Sequence, residues 1–179
     1  MKVVAGDKVK NIQLPSLDGS TFDLESIKGK RYLLTFFRFA GCPFCNLRVH
    51  NLVKHFDEFD PNFTIVGIFD ASLQDLQRHA TKHNAPFTLL ADESNTYYKE
   101  YGIQRSLINT LKGAVIKFPS VLYSMFVKGF IPTSIGGNVM TMPADFLVDE
   151  EGIIQLAHYG KDEGDHISIE KVKQFSAKR

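Results

Sequence analysis

Cys42 and Cys45 are the only cysteines in a chain of 179 residues, and they stand with two residues between them in F-A-G-C-P-F-C (39–45). A thiol with its ordinary pKa of about 8.5 is mostly protonated at neutral pH, so such a pair does chemistry only where the anion is stabilised. Cys42 falls at the cap position of a helix predicted to begin at Pro43, where unpaired backbone N–H groups and the helix dipole favour negative charge. Pro43 fits the first helical turn, and Arg38, Arg48 and His50 bring positive charge nearby. Cys45, three residues on, shares the face of Cys42 and can close a disulfide on it. Two other readings compete with a redox pair. The cysteines could be small core residues, or half of a zinc site completed by His79 and His83 at i and i+4 of a later helix. Those histidines lie far along the chain in no compact finger spacing, and are read as solvent-exposed.

The elements around the pair must place it. The run R-Y-L-L-T-F-F-R-F (31–39) is continuously apolar and aromatic, the pattern of a strand buried on both faces. From Pro43 to Phe59, Val49, Leu52, Val53, Phe56 and Phe59 recur at helical spacing. The dithiol therefore sits at a strand-to-helix switch. Upstream, Leu17-Asp18-Gly19-Ser20 reads as the turn of a β-hairpin. Downstream, 63–70 and 86–92 read as strands. A helix opens at Ser72 with Asp75 in a capping box and turns Leu73, Leu76 and Ala80 inward, and a second short helix is stopped by Gly102. Residues 142–160 form a hairpin about D-E-E-G, G-K-D-E-G-D-H (160–166) a solvated turn, and Ile169, Val172 and Phe175 the stripe of a closing helix. Alternating strands and helices imply an α/β fold with a central sheet in one domain spanning 1–179. Residues 103–140 break the alternation with Gly and Pro and are read as an insertion, a cover or lid in which V-L-Y-S-M-F-V offers a surface for a homodimer.

Composition narrows the function. With Lys+Arg 21 against Asp+Glu 20, nothing marks a nucleic-acid binder. The longest apolar-leaning stretch, 113–131, carries Lys117, Pro119 and Lys128 and does not read as a membrane span. The N-terminal residues hold too short an apolar run for a secretory leader, which makes the cytoplasm the expected compartment. There a C-x-x-C disulfide is transient and functional rather than a staple.

A second feature is T-M-P-A-D-F-L-V-D, with Pro143 directly before an apolar strand. Proline lacks the ladder donor and marks a strand start or a cis turn. A cis Pro143 beside the dithiol would leave the backbone of Met142 open to an incoming substrate strand.

Three stretches, F-F-R-F-A-G-C-P-F-C-N-L-R-V-H-N-L, A-P-F-T-L-L-A-D-E-S-N-T-Y-Y-K-E-Y-G-I and M-P-A-D-F-L-V-D-E-E-G-I-I-Q-L-A-H-Y-G-K-D-E-G-D-H, together resemble the peroxiredoxin-like proteins of the alkyl hydroperoxide reductase/thiol-specific antioxidant (AhpC/TSA) superfamily. The resemblance covers about 5–105 and 136–175. It implies a thioredoxin-like three-layer α/β/α fold with a mixed sheet, and a thiol peroxidase or thiol-disulfide oxidoreductase with Cys42 attacking and Cys45 resolving. Typical members carry Pro seven residues and Thr or Ser three residues before the reactive cysteine; here those positions are Thr35 and Phe39. Arg38, turned toward Cys42, could take over the missing hydroxyl's work. The implied partners are a peroxide or disulfide substrate and an external dithiol reductant such as a thioredoxin or glutaredoxin, with no organic cofactor. Peroxide reduction, disulfide exchange and a non-catalytic binding module remain the three readings.

Overall fold

The computed structural model describes residues 2–103, 138 and 140–177. Gly19, at φ +89°, makes the turn that joins β1 (Gln13–Pro15) to β2 (Thr21–Asp23), an antiparallel hairpin as the turn residues predict. Asp23 then accepts a hydrogen bond from Glu25 N and caps a 3₁₀ turn over Leu24–Ile27.

The apolar run after it becomes β3 (Arg31–Phe36), buried at every position but the first. It lies at the centre of a five-stranded sheet. On one side it pairs in parallel with β4 (Phe63–Phe69), which pairs in parallel with β5 (Thr88–Ala91). On the other it pairs antiparallel with β6 (Ala144–Val148), which forms the expected hairpin with β7 (Ile154–Tyr159). The sheet is thus mixed, in the order β5-β4-β3-β6-β7.

Alternation along each strand divides the core into two layers. Leu33, Ile65, Leu89 and Leu147 face α1 (Pro43–Lys54), α2 (Leu73–Ala80) and α4 (Ile169–Ser176), which contribute Val49, Leu52, Leu76, Val172 and Phe175. Leu34, Phe36, Val66, Ile68 and Phe146 face the opposite way, where the N-terminal segment and α3 (Thr96–Glu100) bring Ile12, Leu14 and Tyr98. This is the three-layer α/β/α thioredoxin-like arrangement. Gly67 marks a close approach within the sheet: a Cβ there would come within 2.8 Å of both the Phe37 ring and Leu89. Bare backbone at that point lets Phe37 lie down and stack on Phe69, with ring centroids 4.6 Å apart. Phe37 leads directly into the cysteine loop.

Four expectations need correction. The central strand stops at Phe36 rather than Phe39, because Phe37 N still reaches Ile68 O but Arg38 N turns away to the Cys45 sulfur. His79 is only 4% exposed, since it stands three residues after Leu76 on the inward face of α2. The 160–166 turn is only partly solvated: Lys161 is exposed, but Glu163 is buried and His166 reaches inward to Asp145, while Asp165 binds Lys161 N and His158. Pro143 precedes β6 as a strand-start proline should, yet no peptide bond among the described residues is cis. Its trans carbonyl is held by Gly160 N at 2.8 Å, which extends the β6–β7 hairpin by one pair. Apart from 103, 138 and 140, the expected insertion lies outside the described residues, and with it the expected self-association surface. Among the described residues no helix is long and apolar enough to cross a membrane.

Candidate active site

Residues 37–42 carry the chain from β3 to α1. Cys42 caps α1 in extended conformation, its N–H bonded to Phe39 O, and Pro43 occupies the first helical turn. Both sulfurs are free thiols and neither residue is exposed. The Arg38 residue touches the two in different ways: its backbone N–H donates to Cys45 Sγ at 3.3 Å, and Nη1 of its guanidinium stands 3.6 Å from Cys42 Sγ.

These contacts separate the two thiols. Burial pushes the Cys42 pKa up, but the Cys45 thiol donating to its sulfur, the Arg38 charge, and the N–H groups of Cys45 and Phe44 outweigh it and bring it down to about 7. Those N–H groups belong to the first turn of α1, where the helix start favours negative charge. Cys45 moves the other way: burial, the hydrogen bond it gives to Cys42 and the charge on Cys42 all raise it. At pH 7 a thiol of pKa 7 is about half thiolate, against roughly 3% at 8.5. The arrangement makes Cys42 the more readily ionised of the two thiols and keeps Cys45 protonated beside it.

Two clamps hold this loop. On one side Arg38 Nε donates to Thr141 O at 2.9 Å, and Thr141 Oγ1 donates to Asp70 Oδ2 at 2.7 Å. Asp70 also receives Asn95 Nδ2 at 2.7 Å, and its N–H bonds to Arg38 O. On the other side Asn46 Nδ2 donates to Ala40 O and Cys42 O, at 2.7 and 2.9 Å. Its Oδ1 accepts from His83 Nε2 at 2.8 Å, so His83 is tied to the dithiol loop rather than to solvent. Among the described residues no group of His, Cys, Asp and Glu is arranged to hold a metal ion.

The structure brings Arg38, Cys42, Pro43 and Cys45 together. Met142 is buried, 3% exposed, which leaves its backbone covered rather than open to an incoming strand. Pro143 packs its ring toward Gly160, and the residue of this segment that reaches the dithiol is Thr141, through Arg38. Thr35 spends its hydroxyl on Asp145, at 2.6 Å, and Phe39 offers Arg38 a ring face at 5.6 Å. Neither supplies a hydroxyl to Cys42; among the described residues the side-chain polar groups at that sulfur are the Arg38 guanidinium and the Cys45 thiol. Sequence reasoning missed Thr141, Asp70, Asn46 and the tie from His83. Asn46 left a signal, a polar residue one turn after Cys42 and three before Val49 on the apolar face.

Peroxiredoxin Q of Triticum aestivum chloroplasts is 31% identical over 113 residues, 63% of this chain and 52% of that protein. Peroxiredoxin Bcp of Escherichia coli K12 is 31% identical over 100 residues, 55% of this chain and 64% of that one. The chain thus spans about half the length of the wheat relative. Among solved structures, peroxidoxin BcpB from Mycobacterium tuberculosis superposes with a TM-score of 0.65 at 18% identity, covering 88% of this chain and 86% of its own, a likeness of fold. The sequence profile described as the AhpC/TSA family matches residues 5–157, and the chain belongs to that family.

Proposed function

We propose that this protein is a thiol peroxidase working through Cys42 and Cys45. The Cys42 thiolate attacks one oxygen of a hydroperoxide; the O–O bond breaks, the leaving oxygen takes a proton and departs as water or an alcohol, and Cys42 is left as a sulfenic acid. The Cys45 thiol then condenses with it, forming the S–S bond and releasing water. An external dithiol of the thioredoxin or glutaredoxin type reduces the disulfide by exchange and leaves oxidised itself. No organic cofactor enters these steps. The reaction suits the cytoplasm, where such reductants keep the pair as thiols.

The observation that carries this reading is the unequal pair: one sulfur lowered to about 7 with a guanidinium 3.6 Å away, the other raised and donating to it. The guanidinium can also take a peroxide oxygen as negative charge grows on it. Disulfide exchange with protein substrates is the second reading, favoured by the C-P-F-C spacing at a helix start. Against it stands the complete enclosure of both sulfurs, which suits a small oxidant better than a protein disulfide.

The test follows free thiol and peroxide when reduced protein meets hydrogen peroxide or an oxidised dithiol, in wild type, Cys42→Ser and Cys45→Ser. Expected are fast peroxide loss in wild type, a trappable sulfenic acid in Cys45→Ser and no reaction in Cys42→Ser. Negligible peroxide loss with rapid exchange would transfer the assignment to the second reading. A pair inert to both oxidants would leave a binding module.

A further inference from the structure

The guanidinium at Cys42 has to be held there. Arg38 belongs to an irregular loop, and a long side chain left alone samples many rotamers at a cost of up to about 2 kcal/mol to fix. Its Nε is anchored on Thr141 O at 2.9 Å, a carbonyl from a segment 103 residues away in sequence. That carbonyl is fixed in turn, because the Thr141 hydroxyl donates to Asp70 Oδ2 at 2.7 Å. Asp70 lies just beyond β4, and its own N–H bonds to Arg38 O at 3.2 Å, so it grips the Arg38 residue at its backbone and, through Thr141, at its side chain. Asn95 Nδ2 at 2.7 Å occupies the second carboxylate oxygen and orients it. Every member of this chain is buried.

We propose that Thr141 and Asp70 are positioning residues that hold the Arg38 guanidinium on the Cys42 sulfur. The inference rests on the reading of Cys42 as the attacking thiolate. Neither residue touches a sulfur; both act through Arg38. Losing the Thr141 hydroxyl frees the carbonyl that receives Nε, and the guanidinium then spends part of its time away from Cys42.

The readout is the titration of Cys42 itself, taken from its alkylation rate by iodoacetamide between pH 5 and 10, with the labelled peptide identified by mass spectrometry. Wild type, Thr141→Val, Thr141→Ser, Arg38→Met and the Arg38→Met/Thr141→Val double variant are compared, each as the folded species collected by gel filtration. In Thr141→Val the rate at pH 6.5 should fall several-fold and the titration move upward, while Thr141→Ser, which keeps the hydroxyl, titrates as wild type. In the double variant the valine should add nothing to the effect of Arg38→Met, because its only route to the sulfur is gone. A Thr141→Val thiol that titrates as wild type, or two shifts that simply add, overturns the inference. Should Thr141→Val yield no folded protein, Asp70→Ala takes its place in the same cycle with the same expectations. Since peroxide turnover is not the readout, absence of peroxide reaction in wild type would remove the proposed function without touching this result, and the reverse also holds.

Discussion

Asp70 and Asp145 are carboxylates buried on either side of β3, one just past β4 and the other inside β6, and their surroundings differ in kind. Asp145 accepts from Thr35 Oγ1 at 2.6 Å and Ile167 N at 2.7 Å, and has His166 Nδ1 at 3.0 Å and Arg48 Nη2 at 3.7 Å. Burial would raise its pKa, but His166, Arg48 and the Thr35 hydroxyl hold it far below the usual carboxylate range. Asp70 is met by the side chains of Asn95 and Thr141, and what it organises is the arginine at the sulfur. One cluster ties α1, β6 and the approach to α4 together. The other ends on the Cys42 sulfur. A buried charge thus serves stability in one place and orientation in the other, and substitutions should separate the two.

The largest effect is expected at Asp145. Asp145→Asn leaves Arg48, whose side chain is only 10% exposed, without its buried counter-charge, and removing one partner of such a pair costs about 3–5 kcal/mol. Urea denaturation should read a loss of that order, while Cys42 in the folded fraction titrates as wild type. A shifted thiol in this variant would mean that the two clusters are not separate. The pH dependence has a fixed sign. A carboxylate whose folded pKa is depressed contributes fully above its unfolded value of about 3.9 and loses that contribution as the pH falls through the folded value. Wild type and Asp145→Asn should therefore differ by a constant amount from neutrality down to about pH 4 and converge only in stronger acid.

Arg38→Met should do the reverse. Stability changes by less than in Asp145→Asn, and the Cys42 thiol rises by about one pH unit, equivalent to about 1.4 kcal/mol. At pH 7 the thiolate would fall from about half to roughly a tenth, a fivefold loss of alkylation rate that vanishes above pH 9. An unchanged thiol would deny the guanidinium any part in lowering it, whatever happens to peroxide turnover.

How much of this was legible follows from the range over which each feature is specified. The start of β3, the two hairpins, the Ser72 cap and the C-P-F-C at a helix start are local patterns, and each is where its residues predict. The early end of β3 is not local: it depends on Arg38 N finding the Cys45 sulfur across the turn. Asp145 stands in a strand that reads as buried, yet nothing nearby announces that its partners lie at positions 35, 48 and 166. Thr141 and Asp70 meet across 71 residues, and their side chains fit no period of helix or strand. His79 is legible in its spacing, three residues beyond Leu76 on the inward stripe of α2. In this fold the sequence marks the dithiol plainly, and the groups that hold the arginine beside it emerge only once distant segments are brought together.

The smallest expected effect tests to which of the two kinds the Asn46–His83 clamp belongs. Burial, with Lys82 and His50 nearby, lowers the His83 pKa to about 4, so the folded protein keeps it neutral where the unfolded chain, at about 6.5, takes up a proton. Stability should accordingly decline as the pH falls from about 6.5 toward 4, by on the order of 1 kcal/mol once its partial exposure is allowed for. His83→Gln keeps an N–H donor for Asn46 Oδ1 and removes the titration, and its stability should be flatter over that window. Equal slopes in the two proteins would assign the acid sensitivity to another group. If the clamp resembles the Asp70 cluster, His83→Ala, which also removes the donor, should shift the Cys42 titration by a few tenths of a pH unit as the Ala40–Cys42 loop loosens. If it resembles the Asp145 cluster, the thiol stays where it is and only the denaturation midpoint moves. The two hydrogen bonds that Asn46 keeps to Ala40 O and Cys42 O without His83 favour the second outcome, because the loop remains pinned by the amide itself.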